Sequence, residues 1–178
     1  MKKQSSIFPF VVFLFFTLLA SPCQLLAGQY QVTHVIDGDT IKVDDGTKKI
    51  PVRLIGIDAP ETPTRKNQTG QPFNQRSKKH LSTLVLNQVV EIKSYGFDGD
   101  GRMLGEVFGE DRNINLAMVK AGLAEVYQGK PTPGLDMGLY WKAEEDARKA
   151  NRGMWVQGNK YVSPMEWRGR TGIRLLIS

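Results

Sequence analysis

The stretch that decides the fold runs from Gln29 to Thr62: Gln29-Tyr-Gln-Val-Thr-His-Val35, then Ile36-Asp-Gly-Asp-Thr40, then Val52-Arg-Leu-Ile-Gly-Ile-Asp-Ala-Pro-Glu-Thr62. In Gln29–Val35 and Thr40–Val43, β-branched residues alternate or cluster on either side of the turn-like Asp37-Gly38-Asp39, which predicts two strands. Asp44-Asp45-Gly46 reads as a hairpin turn feeding a third strand over Lys49–Ile57.

Outward from there, Phe73–Leu86 carries Leu81, Leu84 and Val85 at helical spacing. Strands follow at Val89–Ser94 and Met103–Phe108, the second opened by the Gly-rich Asp98–Gly101. Asn115–Ala121 predicts a short helix stopped by Gly122. Tyr140–Ala150 predicts a longer one, with Ala143 and Ala147 on its inner face and Gly153 at its end; Trp155 is expected in the core nearby. Three strands, a helix, two strands and two helices predict an α+β, mainly β fold. The expected architecture is a five-stranded OB-type Greek-key barrel with about three packed α-helices, not an alternating doubly wound sheet. Residues 156–178 show no clear period, so the domain is set at 28–158 and residues 159–178 are expected to form a basic, weakly ordered tail.

The front of the chain reads as a signal peptide over residues 1–27. Lys2 and Lys3 precede a 14-residue apolar run, Ile7–Ala20, and small residues follow at Ala20, Ser21 and Ala27. Such a run is short of the ~20 residues that anchor a helix in a bilayer. Cleavage is expected after Ala27, leaving an exported protein, secreted or periplasmic, with no stable membrane association. A lipid-bearing Cys23 is the rival reading, and Pro22 directly before it fits that processing badly. Cys23 is the only cysteine, so the processed chain has no disulfide and no thiol chemistry. That chain keeps 22 basic against 18 acidic residues, a net charge of +4, compatible with a polyanionic partner and equally with simple solubility. A monomer is expected.

Arg53 is the odd residue of its strand, a cation among apolar neighbours that needs partners if buried. Asp58 and Glu61 follow closely, with Pro60 breaking the strand. Hard carboxylate oxygens there suit Ca²⁺ or Mg²⁺; without cysteine, and with two histidines far apart, zinc does not fit. Each piece alone also reads blandly, as an Asp-Gly turn or an ordinary ion pair. Moreover, Arg53 and Asp58 lie an odd number of residues apart, so an ideal strand sends them to opposite faces. The strand must bend, bulge or end before Asp58 if both serve one site.

The strings Ile36–Thr40 and Val52–Thr62, then Gly101-Arg102, closely resemble the staphylococcal (micrococcal) nuclease, or thermonuclease, family. The similarity runs from about Tyr30 to Trp155, including Ala117–Ala124 and the Gly153-Met-Trp155 string. The resemblance implies an OB-fold barrel and Ca²⁺-dependent hydrolysis of DNA and RNA to 3′-phosphate ends. By motif it implies Asp39 and Asp58 as carboxylate ligands of Ca²⁺, with the main-chain carbonyl of Ala59 completing the protein ligands. Glu61 matches the general base, and Arg53 and Arg102 match the phosphate-binding arginines. Ala59 replaces the founding member's threonine, a change that a backbone ligand survives. Gly99 and Asp100 stand where that pattern has lysine and tyrosine. Two nucleotide-packing tyrosines are not matched in place, Tyr127 being the nearest aromatic.

These residue types suit the chemistry. Water attack on a phosphodiester builds negative charge that a divalent cation and two guanidiniums stabilise, and arginine offers a planar fork that cannot lose its charge. Two rival classes remain: a non-catalytic OB-fold nucleic-acid-binding module, which keeping all five side chains argues against, and an exported adhesin, which leaves the arginine–carboxylate spacing unexplained. Asp98–Gly101 is no EF-hand loop, because Arg102 takes its fifth position.

Overall fold

Alternation builds the barrel. In β2 (Thr40–Asp44) Ile41 and Val43 point inward and Lys42 outward; in β3 (Lys49–Leu54) Ile50, Val52 and Leu54 point inward while Pro51 and Arg53 take the other face. The computed structural model describes residues 28–63, 68–110 and 112–171. The expected signal peptide, its cleavage site and Cys23 lie outside the described residues, as does the tail from 172 onward.

Strand β1 (Gly28–Val35) pairs antiparallel with β2, and β2 with β3 through a turn in which Asp45 Oδ1 accepts the amides of Thr47 and Lys48 at 2.8 Å each. On its other edge β1 pairs with β5 (Val89–Phe97), which pairs antiparallel with β6 (Met103–Gly109). A parallel pairing of β3 with β6, Arg53 opposite Leu104, closes the five strands into a barrel. Short ladders complete the picture: β7 (Arg112–Asn113) on β6, and β4 (Ile57–Asp58) antiparallel to β8 (Glu125–Val126).

The expected helices form within a few residues of their predicted ends, as α1 (Asn74–Val85), α2 (Ile114–Lys120) and α3 (Met137–Lys149). Asn113 caps α2 by accepting from Leu116 N at 2.9 Å, and Asp136 caps α3 by accepting from Gly138 N at 3.0 Å. Leu81 and Val85 of α1, Met118 and Val119 of α2, and Tyr140 and Ala143 of α3 join the barrel's Val32, Ile41, Val52, Leu54, Ile92 and Val107 in one core. Trp155 is buried with Ala147 and Met154 in a small second cluster beneath Phe73 and Tyr161. Buried Asn115 ties the barrel end to α2: its Nδ2 donates to the carbonyls of Ile55 and Gly105, and its Oδ1 accepts from Val107 N.

The C-terminal expectation needs correcting. A 3-10 segment covers Gly153–Lys160, and a fourth α-helix, α4 (Pro164–Thr171), stands where a weakly ordered tail was expected. Ser163 Oγ accepts from Glu166 N at 3.1 Å, with Pro164 in the first helical position. The helix is short and its Arg168 side chain faces inward, so the apolar periodicity that reveals longer helices never develops. Among the described residues no helix is long and apolar enough to cross a membrane.

Candidate active site

Arg53 lies on the outer face of β3, its side chain only 16% exposed, and is partnered on both sides. Its Nη1 donates to Asp39 Oδ1 at 2.9 Å and its Nη2 to Asp58 Oδ1 at 3.0 Å. Asp39 reaches it because the turn before β2 places Asp39 beside Thr40, the register partner of Arg53, and Leu54 N donates to Asp39 O at 2.8 Å. Asp58 reaches it because β3 ends at Leu54 and the chain turns at Gly56, whose φ is +79°, before β4 begins at Ile57. That is the break the odd spacing required. Burial works against the Arg53 cation, but the charges of Asp39, Asp58 and Asp37 outweigh it and hold the guanidinium more firmly protonated than usual.

Asp39 is fully engaged as well. Its Oδ1 also accepts from Thr40 Oγ1 at 2.9 Å, and its Oδ2 accepts from Ala59 N at 2.8 Å. Gly38 beside it is a close approach, since a Cβ there would sit 2.0 Å from Ser77 Oγ and 2.7 Å from Ala59 Cβ. Removal from water and the neighbouring Asp39 charge push the Asp37 carboxyl up to about 7.

Glu61 is brought to the same cluster by a residue that sequence reasoning missed. Arg168 of α4 donates from Nη1 to Glu61 Oε1 at 2.5 Å and to Asp58 Oδ1 at 3.1 Å, and from Nη2 to Asp58 Oδ2 at 2.8 Å. Burial raises the Glu61 pKa above its ordinary value, against the opposing pull of Arg168. The signal for α4 was present in Ser163-Pro-Met-Glu166, a serine cap with glutamate three residues on and proline between. Nothing in the sequence alone ties Arg168 to Asp58, 110 positions away.

Arg102 does not touch the carboxylate cluster. Its Nε donates to Asp98 Oδ2 at 2.8 Å and its Nη2 lies 3.1 Å from Asp100 Oδ2. The Asp98–Gly101 turn is held by Asp98 Oδ1 accepting from Asp100 N and Arg102 N. Arg102 and Arg53 nonetheless line one open cleft of about 580 Å³, because Arg102 directly precedes β6, the parallel partner of β3. Gly99, Asp100, Tyr127, Lys130 and Thr132 line it too, so the positions that depart from the family pattern surround the cleft.

The donors suit a hard divalent cation. One guanidinium already bridges Asp39 and Asp58, which shows that the two carboxylates converge on a single positive group, and Ala59 is hydrogen-bonded to the first of them. Among the described residues no cluster of three or more His, Cys, Asp or Glu side chains forms a ready-made metal cage. A cation at this place would have the two carboxylates as its side-chain ligands.

Comparison with known proteins identifies the family. The family model described as staphylococcal nuclease homologue matches residues 51–157. A Haemophilus influenzae protein named as an uncharacterized endonuclease is 37% identical over 164 residues, covering 91% of this chain and 84% of its own. A similarly named Escherichia coli O157:H7 protein is 37% identical over 79% of this chain and 84% of its own. The micrococcal nuclease of Shigella flexneri is 36% identical over 78% of this chain and 79% of its own. With its closed five-stranded barrel and its matched central segment, the chain belongs to the staphylococcal nuclease family of endonucleases.

Proposed function

We propose that this protein is an exported, Ca²⁺-dependent endonuclease that hydrolyses phosphodiester bonds of DNA and RNA and leaves 3′-phosphate ends. The observation that carries the reading is Arg53, which bridges Asp39 and Asp58 while lining the cleft that also holds Arg102. Asp39, Asp58 and the carbonyl of Ala59 would hold Ca²⁺, which when bound supplies a Lewis acid for the phosphoryl oxygens.

The protein's own groups do the rest. Arg53 and Arg102 donate to the phosphate oxygens as negative charge grows on them. For this, Arg102 trades its contacts with Asp98 and Asp100 for the substrate. Glu61 receives the proton of the attacking water as its oxygen bonds to phosphorus and the P–O5′ bond breaks, the leaving 5′-oxygen taking a proton from solvent. This asks for hydrogen-bond reach from Glu61 to that water. Tyr127 and Lys130 give the cleft an aromatic face and a further cation for a nucleotide chain. An exported monomer accords with the apolar leader and the modest positive charge.

The test is digestion of DNA and of RNA with and without chelator, followed by analysis of product ends. Calcium-restored cleavage with 3′-phosphate ends is expected for both. Undiminished cutting in chelator, or 5′-phosphate ends, overturns the reading.

A further inference from the structure

The family-matched segment ends at residue 157, yet the carboxylate cluster is completed by a side chain beyond it. Arg168 is 8% exposed and, among the described residues, its Nη1 and Nη2 donate to Asp58 and Glu61. One edge of the fork holds both oxygens of Asp58, and Nη1 reaches on to Glu61 Oε1 at 2.5 Å. A planar guanidinium fixes the distance and relative orientation of two carboxylates in a way a point charge does not.

A second link tethers the same two segments. Buried Gln71 accepts from Glu61 N through Oε1 at 3.0 Å and donates from Nε2 to Val162 O at 2.8 Å, just ahead of α4. The Gln71 amide also donates to Glu61 O at 2.9 Å. The loop bearing Glu61 is therefore fastened to the C-terminal segment at its backbone by Gln71 and at its side chain by Arg168. Arg168, like Asp58 and Glu61, adjoins the cleft shared by Arg53 and Arg102 without lining it, and is tied to it through Asp58, which Arg53 also engages.

We infer that Arg168 is a positioning residue of the active site, holding Asp58 and Glu61 in fixed register so that the Glu61 carboxylate is presented beside the cation ligand. This rests on the roles proposed above for Asp58 and Glu61. Partners that orient ligands typically cost about 10–100-fold in activity or metal affinity when removed.

The test uses the full chain and two variants, Arg168→Ala and Arg168→Lys, measured per folded molecule. Wild-type cleavage with and without calcium comes first, since its failure would fault the proposed function and not Arg168. At saturating calcium, Arg168→Ala is expected to lose about 10–100-fold in kcat with KM changed less than about threefold. Calorimetry with calcium alone is expected to show affinity unchanged or lowered. Arg168→Lys, which keeps a cation and guards against a variant that fails to fold, is expected to melt as a folded protein yet recover less than about a tenth of the wild-type kcat. Three results overturn the inference: kcat within threefold of wild type in Arg168→Ala, full rescue by lysine, or tighter calcium binding on removing Arg168. The last would make the guanidinium a competitor of the cation, with α4 a latch over the site.

Discussion

Arg53 and Asp58 lie five residues apart and meet at 3.0 Å because the strand carrying one stops before the other begins. Gly56 makes that stop. Its φ of +79° belongs to the left-handed region, and a Cβ there would lie 2.8 Å from Leu135 Cδ2.

Gly56→Ala should therefore cost about 1–3 kcal/mol in denaturant unfolding, through backbone strain and overpacking. It should also lower the cleavage rate of the molecules that remain folded, because Asp58 shifts against Arg53. Unaltered stability would mean the turn tolerates a side chain, and the account of the break would be wrong.

Arg53→Lys should lose about 10²–10³-fold in cleavage rate, by analogy with a single lost oxyanion donor. A lysine ammonium cannot bridge Asp39 and Asp58 and still present a second donor to phosphate. Arg102→Lys should behave alike, although its partners Asp98 and Asp100 are different. Near-full turnover by folded Arg53→Lys would reduce Arg53 to a structural ion-pair partner.

Glu61→Gln tests the base. The change removes the charge that Arg168 engages and keeps the shape of the side chain. A loss in kcat of roughly 10²–10⁴-fold is expected, with calcium affinity nearly unchanged by calorimetry. Weakened calcium binding with recovery in excess metal would make Glu61 a ligand instead, and a normal kcat would end the assignment.

Glu125 sets a pH dependence of stability. Burial pushes its carboxyl up to about 7 against the opposing hydrogen bond from Tyr161, and its Oε1 has no hydrogen-bond partner among the described residues. In the unfolded chain the group releases its proton near its ordinary value of 4.5, while the folded protein keeps it until about 7. Between those values the fold binds more protons than the unfolded chain, so stability falls as pH rises and levels off above 7. At 1.36 kcal/mol per unit the full effect is roughly 3 kcal/mol. Urea unfolding in chelator at pH 5 and pH 8 should show a smaller loss across that interval in Glu125→Gln than in wild type. Equal losses in both proteins would refute the burial argument.

The barrel was legible because its signals are local. Alternation in β2 and β3, the Asp45 turn, and the apolar stripes of α1 and α3 each lie within a dozen or so residues. The meeting of Asp39, Arg53 and Asp58 was legible through motif, and the odd spacing called for a break before Asp58, although the strand was expected to run to Ile57 and ends at Leu54. Arg168 was not legible: an arginine in a short helix without apolar period carries no mark of a partner 110 positions earlier. Nor did the sequence reveal that Arg102 rests against Asp98 and Asp100, because Asp98–Gly101 reads as turn chemistry either way.

The parallel seam between β3 and β6 gives the chemistry a timetable. A nascent chain that has completed β1 to β4 already owns Asp39, Arg53 and Asp58, yet its cleft still lacks a wall. Arg102 takes its place only when β6 docks beside β3, and Arg168 only when the last helix is delivered. Such distant pairings are slow steps in folding. On the proposed function, cleavage therefore waits on the pairings made furthest apart along the chain.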